Sequence, residues 1–247
     1  MKKTILDFKD KILKLPLKDK YTKEDLLIED FLIDEKGNIK VYYAPHNEYI
    51  NKKAKVIIVG ITPGFNQMNN AFVEARYDLN ENLDLEEIKY RCKEKGRFSG
   101  PLRKNTITML DIISLNKALN IDSCSELFLD KDYLIHTTAL VSYPVFIKDK
   151  NYTGHTPSLI KSEFLMKYVY DIFIEEIKTI EEFDKAIIIP LGKAVLEVLI
   201  KLSEEGYIKE EQILKGFPHP SGANVNRVNE LNKNKDDMTK FILNKFK

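Results

Sequence analysis

Apolar runs of strand length alternate along the chain with longer segments of helical periodicity. The runs cover residues 55–61, 134–142 and 186–191, and a shorter one covers residues 212–217. Nearly continuous Val and Ile are typical of strands that are buried on both faces of a parallel sheet. Strand–helix alternation predicts such a sheet with right-handed crossovers and helices on both faces. The predicted fold class is therefore α/β: a three-layer α/β/α sandwich with a central, mostly parallel four-stranded sheet.

Helical periodicity appears in the segments between and around these runs. A proline at the first position of a helix loses no hydrogen bond, so Pro101 and Pro157 are predicted to open helices. Ser99 or Gly100 can cap the first of these helices, and the second is expected to run to about Ile180. Further helices are predicted at residues 4–15, 69–77, 84–94 and 193–203, and at the C-terminus through Phe246.

Residues 26–43 show two apolar segments around a Lys36-Gly37-Asn38 turn, which is typical of a β-hairpin. A chain of 247 residues can bury one large core, so the sequence predicts a single domain over residues 1–247. Within that domain, residues 1–52 are interpreted as an N-terminal helix and hairpin extension. Residues 66–97 are interpreted as a helical insertion that forms a flap over the mouth of a pocket.

Composition and charge are those of an ordinary globular protein, with 43% hydrophobic and 31% charged residues. The net charge is only +1, from 39 Lys and Arg against 38 Asp and Glu, so any basic patch has to be local. No apolar run is long enough to span a bilayer, and the first residues lead into an amphipathic segment rather than a signal peptide. We therefore expect a cytoplasmic protein that does not contact a membrane.

Cysteine spacing and glycine motifs exclude several classes of site. Cys92 and Cys124 lie far apart without metal-ligand spacing, so we expect both to be reduced and structural. No Gly-x-Gly-x-x-Gly follows the first apolar run, which excludes a Rossmann dehydrogenase, and no Gly-Lys-Ser/Thr of a P-loop is present. The sequence predicts neither a metal nor a cofactor.

Two of the apolar segments end in turns rich in glycine and proline. The first turn is Gly60-Ile61-Thr62-Pro63-Gly64, and the second is Gly216-Phe217-Pro218-His219-Pro220-Ser221-Gly222-Ala223-Asn224. Ligands of open α/β sheets bind where the chain leaves the carboxyl ends of the strands, and glycine allows the backbone to approach a ligand closely. Either turn alone is explained as a tight connection. Together they predict two walls of one pocket.

These two turns resemble the motifs of the uracil-DNA glycosylase superfamily. Residues 60–64 are similar to the turn after the first core strand of that family, and residues 219–224 to its His-Pro-Ser stretch. Phe98-Ser99-Gly100 is similar to the segment whose aromatic ring stacks on the base, and residues 187–192 resemble the strand before the penultimate helix. The resemblance covers about residues 40–245. It implies a single uracil-DNA glycosylase-like domain.

The family's chemistry assigns a role to each matching residue. The enzyme flips a base out of DNA into a pocket and breaks its N-glycosidic bond, so a hydrogen-bond donor must stabilise the departing base anion. The resemblance implies that His219 is that donor and that Thr62 lies near the attacking water. It implies base contacts from Gly60, Ile61, Phe65, Phe98 and Thr138. It implies phosphate contacts from Pro63, Gly64, Ser221, Gly222, Ala223, Asn224 and Arg227.

Two positions depart from the family's pattern. Thr62 stands where many members carry Asp, Glu or Asn, and a threonine hydroxyl can orient a water but is no general base near neutral pH. Thr138 stands where the family carries an Asn that reads the uracil edge, and one hydroxyl does not replace an amide's paired donor and acceptor. Simpler roles stay open for three others: a structural turn histidine for His219, a core ring for Phe98 and a solvated side chain for Arg227.

The sequence therefore favours a hydrolase, a DNA glycosylase that removes uracil or another damaged base in base excision repair. Its expected partner is DNA, single- or double-stranded, and the protein is expected to be a monomer. Residues 148–155 mix basic and aromatic side chains with a glycine, as in loops that contact a nucleic acid strand. Two alternatives stay open: a non-catalytic nucleic-acid or nucleotide-binding module of the same fold, and an N-glycosidase that acts on free nucleosides or nucleotides.

Overall fold

The computed structural model describes residues 2–246, and seven strands and ten α-helices lie within them. The strands are β1 (Leu32–Lys36), β2 (Ile39–Tyr42), β3 (Val56–Gly60), β4 (Ile135–Ala139), β5 (Val145–Ile147), β6 (Lys150–Asn151) and β7 (Ile187–Pro190). The helices are α1 (Ile5–Lys14), α2 (Lys23–Leu26), α3 (Phe65–Asn80), α4 (Leu85–Gly96), α5 (Pro101–Ile112), α6 (Leu115–Leu119), α7 (Glu163–Tyr168), α8 (Ile174–Lys178), α9 (Lys193–Glu204) and α10 (Arg227–Lys245).

The central sheet has three parallel strands in the order β4-β3-β7, so the prediction of a four-stranded central sheet is wrong. The predicted strand at residues 212–217 contributes only an isolated parallel bridge between Ile213 and Ile188. The chain forms a short 3₁₀ turn at Glu210–Gln212 immediately before the bridge, and Pro218 soon after it has no N–H for a ladder. The other four strands form a separate antiparallel sheet in the order β1-β2-β5-β6.

Alternate residues of β3 face two different hydrophobic clusters. Val56 and Ile58 lie in a cluster with residues of α5, α6 and α10, whereas Ile57 and Val59 lie in a cluster with residues of α3, α7, α8 and α9. Helices therefore cover both faces of the parallel sheet. The prediction of a mixed α/β fold is confirmed.

The N-terminal hairpin is present, but it is shorter than predicted. β1 and β2 pair antiparallel around the turn at Gly37, while residues 26–31 form helical turns instead of the start of a strand. Ile5 and Phe8 of α1 are buried in the same cluster as Ile57 of the central sheet. The N-terminal elements thus share a core with the rest of the chain.

The helical segment at residues 66–97 is not a flap. Met68 and Phe72 of α3 and Cys92 of α4 are fully buried, and both helices belong to the hydrophobic cluster on one face of the sheet. Lys93 reaches the edge of β4, where its amine donates to the Thr137 carbonyl. The segment therefore forms a fixed wall beside the central sheet.

The helix predicted to open at Pro157 begins later, at Glu163. The Ser162 hydroxyl accepts a hydrogen bond from the Leu165 N–H at 3.4 Å, and serine is a strong helix cap. A π-helical turn at Val169–Phe173 connects α7 to α8. Within residues 2–246, no helix is both long and apolar enough to cross a lipid bilayer.

Candidate functional site

A cavity of about 520 Å³ lies at the carboxyl ends of the three parallel strands. Gly60, Ala139 and Leu191, at the ends of β3, β4 and β7, all line it. This is the edge at which open α/β sheets bind their ligands, and the volume is typical of small-molecule sites. The predicted site residues that line the cavity are Gly60, Ile61, Thr62, Pro63, Gly64, Phe98, Thr138, His219, Ser221, Ala223 and Asn224.

Three predicted site residues lie away from the cavity wall. Phe65 begins α3 and contacts the Phe146 ring edge-on, with ring centroids 6.5 Å apart. Gly222 is exposed in the His219 loop, and Arg227 donates to the Asn224 carbonyl at 3.0 Å. Arg227 therefore supports the loop from behind, whereas the predicted contacts of all three with DNA stay predictions.

The Thr62 hydroxyl fastens the first turn to the segment before β5. It donates to the Tyr143 carbonyl at 2.6 Å and accepts from the Val145 N–H at 3.0 Å. A hydroxyl has one proton and two lone pairs, so one acceptor position is left. Thr62 can therefore accept a hydrogen bond from a water but has no proton to donate to one.

His219 is held in one orientation by two backbone features. Its Nδ1 accepts the Ser221 N–H at 3.1 Å, so the ring proton lies on Nε2 when the ring is neutral. A Cβ on Gly192 would come within 3.0 Å of the His219 Cβ, so glycine permits the close approach. Partial desolvation, with a smaller contribution from His155, lowers the pKa of His219. At pH 7 the ring is therefore neutral, with Nε2–H as its donor.

Side chains of the His219 loop fix the loop itself. The Ser221 hydroxyl accepts the Ala223 N–H at 3.2 Å, and Asn224 Nδ2 donates to the His219 carbonyl at 3.3 Å. Asn105 of α5 also donates to the Pro220 carbonyl at 2.8 Å. These bonds keep the loop in place beside the cavity.

Phe98 lies in an unusual backbone conformation beside the cavity. Its φ is +28°, a value that non-glycine residues rarely adopt, and only 6% of the residue is exposed. Arg103 donates to the Phe98 carbonyl at 2.6 Å and so holds the segment. Such strain is concentrated at functional sites, where the surrounding structure maintains it.

Thr138 has its hydroxyl engaged on a buried carboxylate. It donates to Glu176 Oε1 at 2.5 Å, and His136 Nε2 lies 3.0 Å from the same oxygen. Burial alone would raise the pKa of Glu176, but the bond from His136 and the charges of Lys2 and Lys93 lower it to about 2. Thr138 therefore lines the cavity without a free hydroxyl proton.

The loop after β6 forms another wall. Tyr152, Thr153 and His155 line the cavity, and the Tyr152 hydroxyl donates to the Pro157 carbonyl at 2.6 Å. A Cβ on Gly154 would lie 2.8 Å from Ile61, so this loop lies directly against the first turn. The loop that was predicted to contact a nucleic acid strand therefore borders the cavity.

Five buried polar residues of the wall have no place in the motifs: His46, Asn47, Lys93, Arg97 and Thr137. Lys93 donates to Asn47 Oδ1 at 2.9 Å, and burial lowers the pKa of Lys93 to about 7. The sequence carries no clear signal for this set, since Lys93 lies in the last turn of α4 and Arg97 follows the helix in an extended conformation.

The wall carries positive charge and no carboxylate. Lys93, Arg97 and Lys193 are among the residues that line the cavity, and no Asp or Glu is among them. Across residues 2–246, no group of three His, Cys, Asp or Glu side chains is arranged to hold a metal ion. The cavity is suited to a ligand that presents hydrogen-bond acceptors or develops a delocalised negative charge.

Comparisons with known proteins give one close relative in sequence. No family model matches the chain. A solved structure of wild-type SMUG2 from Pedobacter heparinus aligns with 94% of this chain and 97% of its own, at 14% identity and a TM-score of 0.47. The uncharacterised protein YoxB of Bacillus subtilis is 39% identical over 236 residues, which are 96% of this chain and 91% of YoxB. The chain therefore belongs to the same family as YoxB.

Proposed function

We propose that this protein is a DNA glycosylase-like hydrolase of the uracil-DNA glycosylase superfamily, which flips uracil or another damaged base out of DNA for base excision repair. The observation that carries the proposal is His219. Its Nδ1 is occupied by the Ser221 N–H, so a neutral Nε2–H is the donor at a cavity whose lining includes no carboxylate.

Cleavage of the N-glycosidic bond leaves positive charge on the sugar and negative charge on the departing base. A preorganised donor aimed at the developing anion is worth about 3–4 kcal/mol in a site that excludes water. His219 supplies that donor from a neutral ring whose Nδ1 is already occupied. In this mechanism the N-glycosidic bond therefore breaks, and the base departs, before water attacks the sugar.

Water attack follows from the same arrangement. No carboxylate lines the cavity to act as a general base, and the Thr62 hydroxyl can only accept a hydrogen bond from water. An oxocarbenium-like sugar needs little activation of the water, so orientation by Thr62 suffices in this mechanism. As the oxygen of the water bonds to the sugar carbon, the departed base anion takes up the proton that the water loses. Phe98 provides the stacking surface for the base, and the His219 loop approaches the phosphates. The cytoplasmic location and the monomeric state of the protein stay predictions.

The direct test is a search for abasic sites in DNA. Oligonucleotides with uracil, hypoxanthine or xanthine, single- and double-stranded, are incubated with the protein, and abasic sites are cleaved with alkali. We expect cleavage at one or more of these bases and none in undamaged DNA. If no abasic site forms in any of these substrates, the proposed glycosylase activity is refuted.

One observation favours a second function, a non-catalytic nucleic-acid-binding module. The Thr62 and Thr138 hydroxyls, at two positions where the family carries more polar groups, are both bonded to the protein itself. A module of this kind binds DNA with an affinity that falls with salt but leaves every base attached. Salt-dependent filter binding of oligonucleotides that the cleavage assay leaves intact would establish this second function, whereas abasic sites in the same oligonucleotides would exclude it.

A further inference from the structure

Arg103 on α5 binds three backbone carbonyls with one guanidinium. Its Nε donates to the Phe98 carbonyl at 2.6 Å, and its Nη2 donates to the carbonyls of Arg97 at 2.8 Å and Glu94 at 3.2 Å. The guanidinium carbon lies 5.5 Å from the centroid of the buried Phe128 ring, on which a cation packs favourably. The Arg103 side chain is therefore fixed from more than one side.

Two of these bonds act on the backbone on either side of the Phe98 Cα. The Arg97 carbonyl belongs to the peptide plane before this atom, and the Phe98 carbonyl belongs to the plane after it. Since peptide units are planar, the orientations of these two planes set φ and ψ of Phe98. One guanidinium that holds both carbonyls therefore also fixes the direction in which the Phe98 side chain leaves the backbone.

The third bond anchors this arrangement to a buried helix. Glu94 lies in the last turn of α4, where backbone carbonyls have no partner within the helix. Cys92, two residues earlier, is fully buried in the hydrophobic cluster on one face of the sheet. Arg103 thus holds the Phe98 backbone at a fixed place relative to the α4 wall.

Phe98 depends on such a hold because its backbone is strained. A non-glycine residue with a φ of +28° relaxes unless the surrounding structure maintains it. Hydrogen bonds from a charged donor are stronger than neutral ones, and a guanidinium donates several in a fixed planar geometry. We propose that Arg103 is a positioning residue, which keeps the Phe98 ring at the cavity in the orientation that stacking on a flipped base requires. The purpose of the ring rests on the proposed function, whereas the hold on it does not.

The same helix supports the other side of the site. Asn105 donates to the Pro220 carbonyl at 2.8 Å, and Leu102 lines the cavity between the two. α5 therefore connects the backbone of Phe98 to the loop of His219. In the proposed mechanism, these are the two residues that act on the same base.

A direct contact of Arg103 with a DNA phosphate is the competing role. Three of its N–H donors already bond to carbonyls, and Arg103 is not among the residues that line the cavity. The substitution Arg103→Lys separates the two roles. A lysine keeps the charge that a phosphate requires, but its compact ammonium does not reproduce a planar fork across two peptide planes.

Fluorescence tests the hold without any reaction. The chain has no tryptophan, so Phe98→Trp introduces a single indole at the site. Its anisotropy and acrylamide quenching are measured alone and after addition of Arg103→Met or Arg103→Lys. Lys104→Met, which removes an exposed positive charge next to Arg103, is the matched control. We expect both Arg103 substitutions, and not the control, to lower the anisotropy and raise the quenching constant, since a released ring moves on the ps–ns scale.

Single-turnover base release at saturating DNA tests what the hold is for. We expect Arg103→Met and Arg103→Lys each to slow release about tenfold, with a DNA affinity close to that of Lys104→Met. Adding Arg103→Met to Phe98→Leu should change the rate by less than about twofold, because the ring on which Arg103 acts is already absent. A residue that only stabilises the fold would cost the same factor in both backgrounds. Arg103→Lys keeps the charge and most of the stem, so it decides the question if Arg103→Met does not fold.

Three results would overturn the positioning role. The first is an indole signal that neither Arg103 substitution changes, and the second is an equal loss of rate from Arg103→Met with and without Phe98. The third is a loss of DNA affinity in Arg103→Met, with a salt slope smaller by about one, that Arg103→Lys restores, which would make Arg103 a phosphate contact. An indole released by the Arg103 substitutions, in a protein whose wild type forms no abasic sites, leaves the hold standing and refutes the proposed catalysis.

Discussion

At the scale of single residues, the site depends on one glycine and one backbone N–H. The Ser221 N–H fixes the tautomer of His219, and Gly192 leaves room for the His219 side chain. Neither residue touches the reacting bond in the proposed mechanism. Their effect is to hold Nε2–H where a departing base needs a donor, and displacements of about 1 Å cost large factors in rate.

The substitution Gly192→Ala tests this arrangement. Its φ is +91° and its added Cβ meets His219 Cβ at 3.0 Å, so we expect abasic-site formation to fall at least tenfold. Gly206→Ala is the matched control, since Gly206 has a φ of +80° but open space around it. Both variants should lose about 1 kcal/mol of stability or more. Equal activity of the two in the cleavage assay would contradict the role of Gly192.

A second prediction at the residue scale concerns Lys93 and pH. Burial, with Arg97 and Lys2 nearby and against the opposing charge of Glu176, lowers the pKa of Lys93 from 10.5 to about 7. Between these two values the unfolded chain binds a proton that the folded chain does not. The free energy of unfolding should therefore rise with pH in this window, by at most about 1.4 kcal/mol per pH unit.

Urea unfolding between pH 7 and 10 measures this slope. Lys93→Met should have a slope smaller than that of the wild type by the contribution of one proton. Lys95→Met, an exposed change on the same helix, should keep the wild-type slope. A wild-type slope that persists in Lys93→Met would show that the lysine keeps its proton throughout this range.

At the scale of elements, a buried carboxylate joins α8 to β4. Glu176 accepts from His136 and Thr138, both on the strand, and lies 3.6 Å from the Lys2 amine. Glu176 is fully enclosed, so its bonds must be made within the protein. The network fixes the helix against the strand whose carboxyl end borders the cavity.

Glu176→Gln replaces this acceptor with an amide that also donates. The amide oxygen can keep the bonds from His136 and Thr138, but the amide N–H then faces the Lys2 amine and the negative charge is lost. We therefore expect a loss of about 1–3 kcal/mol in the free energy of unfolding. Glu175→Gln on the same helix is the control, because Glu175 is exposed and should change stability by less than about 0.5 kcal/mol. Urea denaturation measures the free energy of unfolding of both variants. Equal midpoints for the two would contradict a stabilising role of the Glu176 hydrogen bonds.

Sequence patterns predict the elements well where periodicity alone decides them. The three strands of the central sheet and the helices at 101–113 and 193–203 follow from residues that are neighbours in the chain. The start of α7 does not follow in this way, because Ser162 caps the helix five residues after Pro157. The fourth strand is absent because a 3₁₀ turn at Glu210–Gln212 competes with the strand propensity of residues 212–217. The two glycine-rich turns are found because each is continuous in sequence.

The wall of His46, Arg97 and Thr137 is a property of the whole molecule. Its residues come from segments far apart in the chain, and only tertiary packing brings them to one cavity. Side chains of Asn47, Asn51 and Lys93 meanwhile satisfy carbonyls along and beside β4, where a further strand would otherwise pair. No periodicity or motif encodes such a wall, so it could not be predicted from the sequence.

The N-terminal elements and the α3–α4 segment also act at this scale. Ile5, Phe8 and Phe72 share one hydrophobic cluster with the central strand β3, so these segments cover one face of the sheet. Asn47, Gln67 and Lys93, from the same two segments, line the cavity. The shape of the cavity therefore depends on these segments as well as on the sheet.

The most direct test of the central claim is the single-turnover rate of base release with His219 changed. We predict that His219→Ala lowers the rate of abasic-site formation about 10²–10³-fold, as loss of a transition-state donor does. His219→Gln, whose amide can donate near the position of Nε2, should retain more of the rate than alanine. Equal rates for the wild type and His219→Ala would contradict the assignment of His219 as the group that stabilises the departing base.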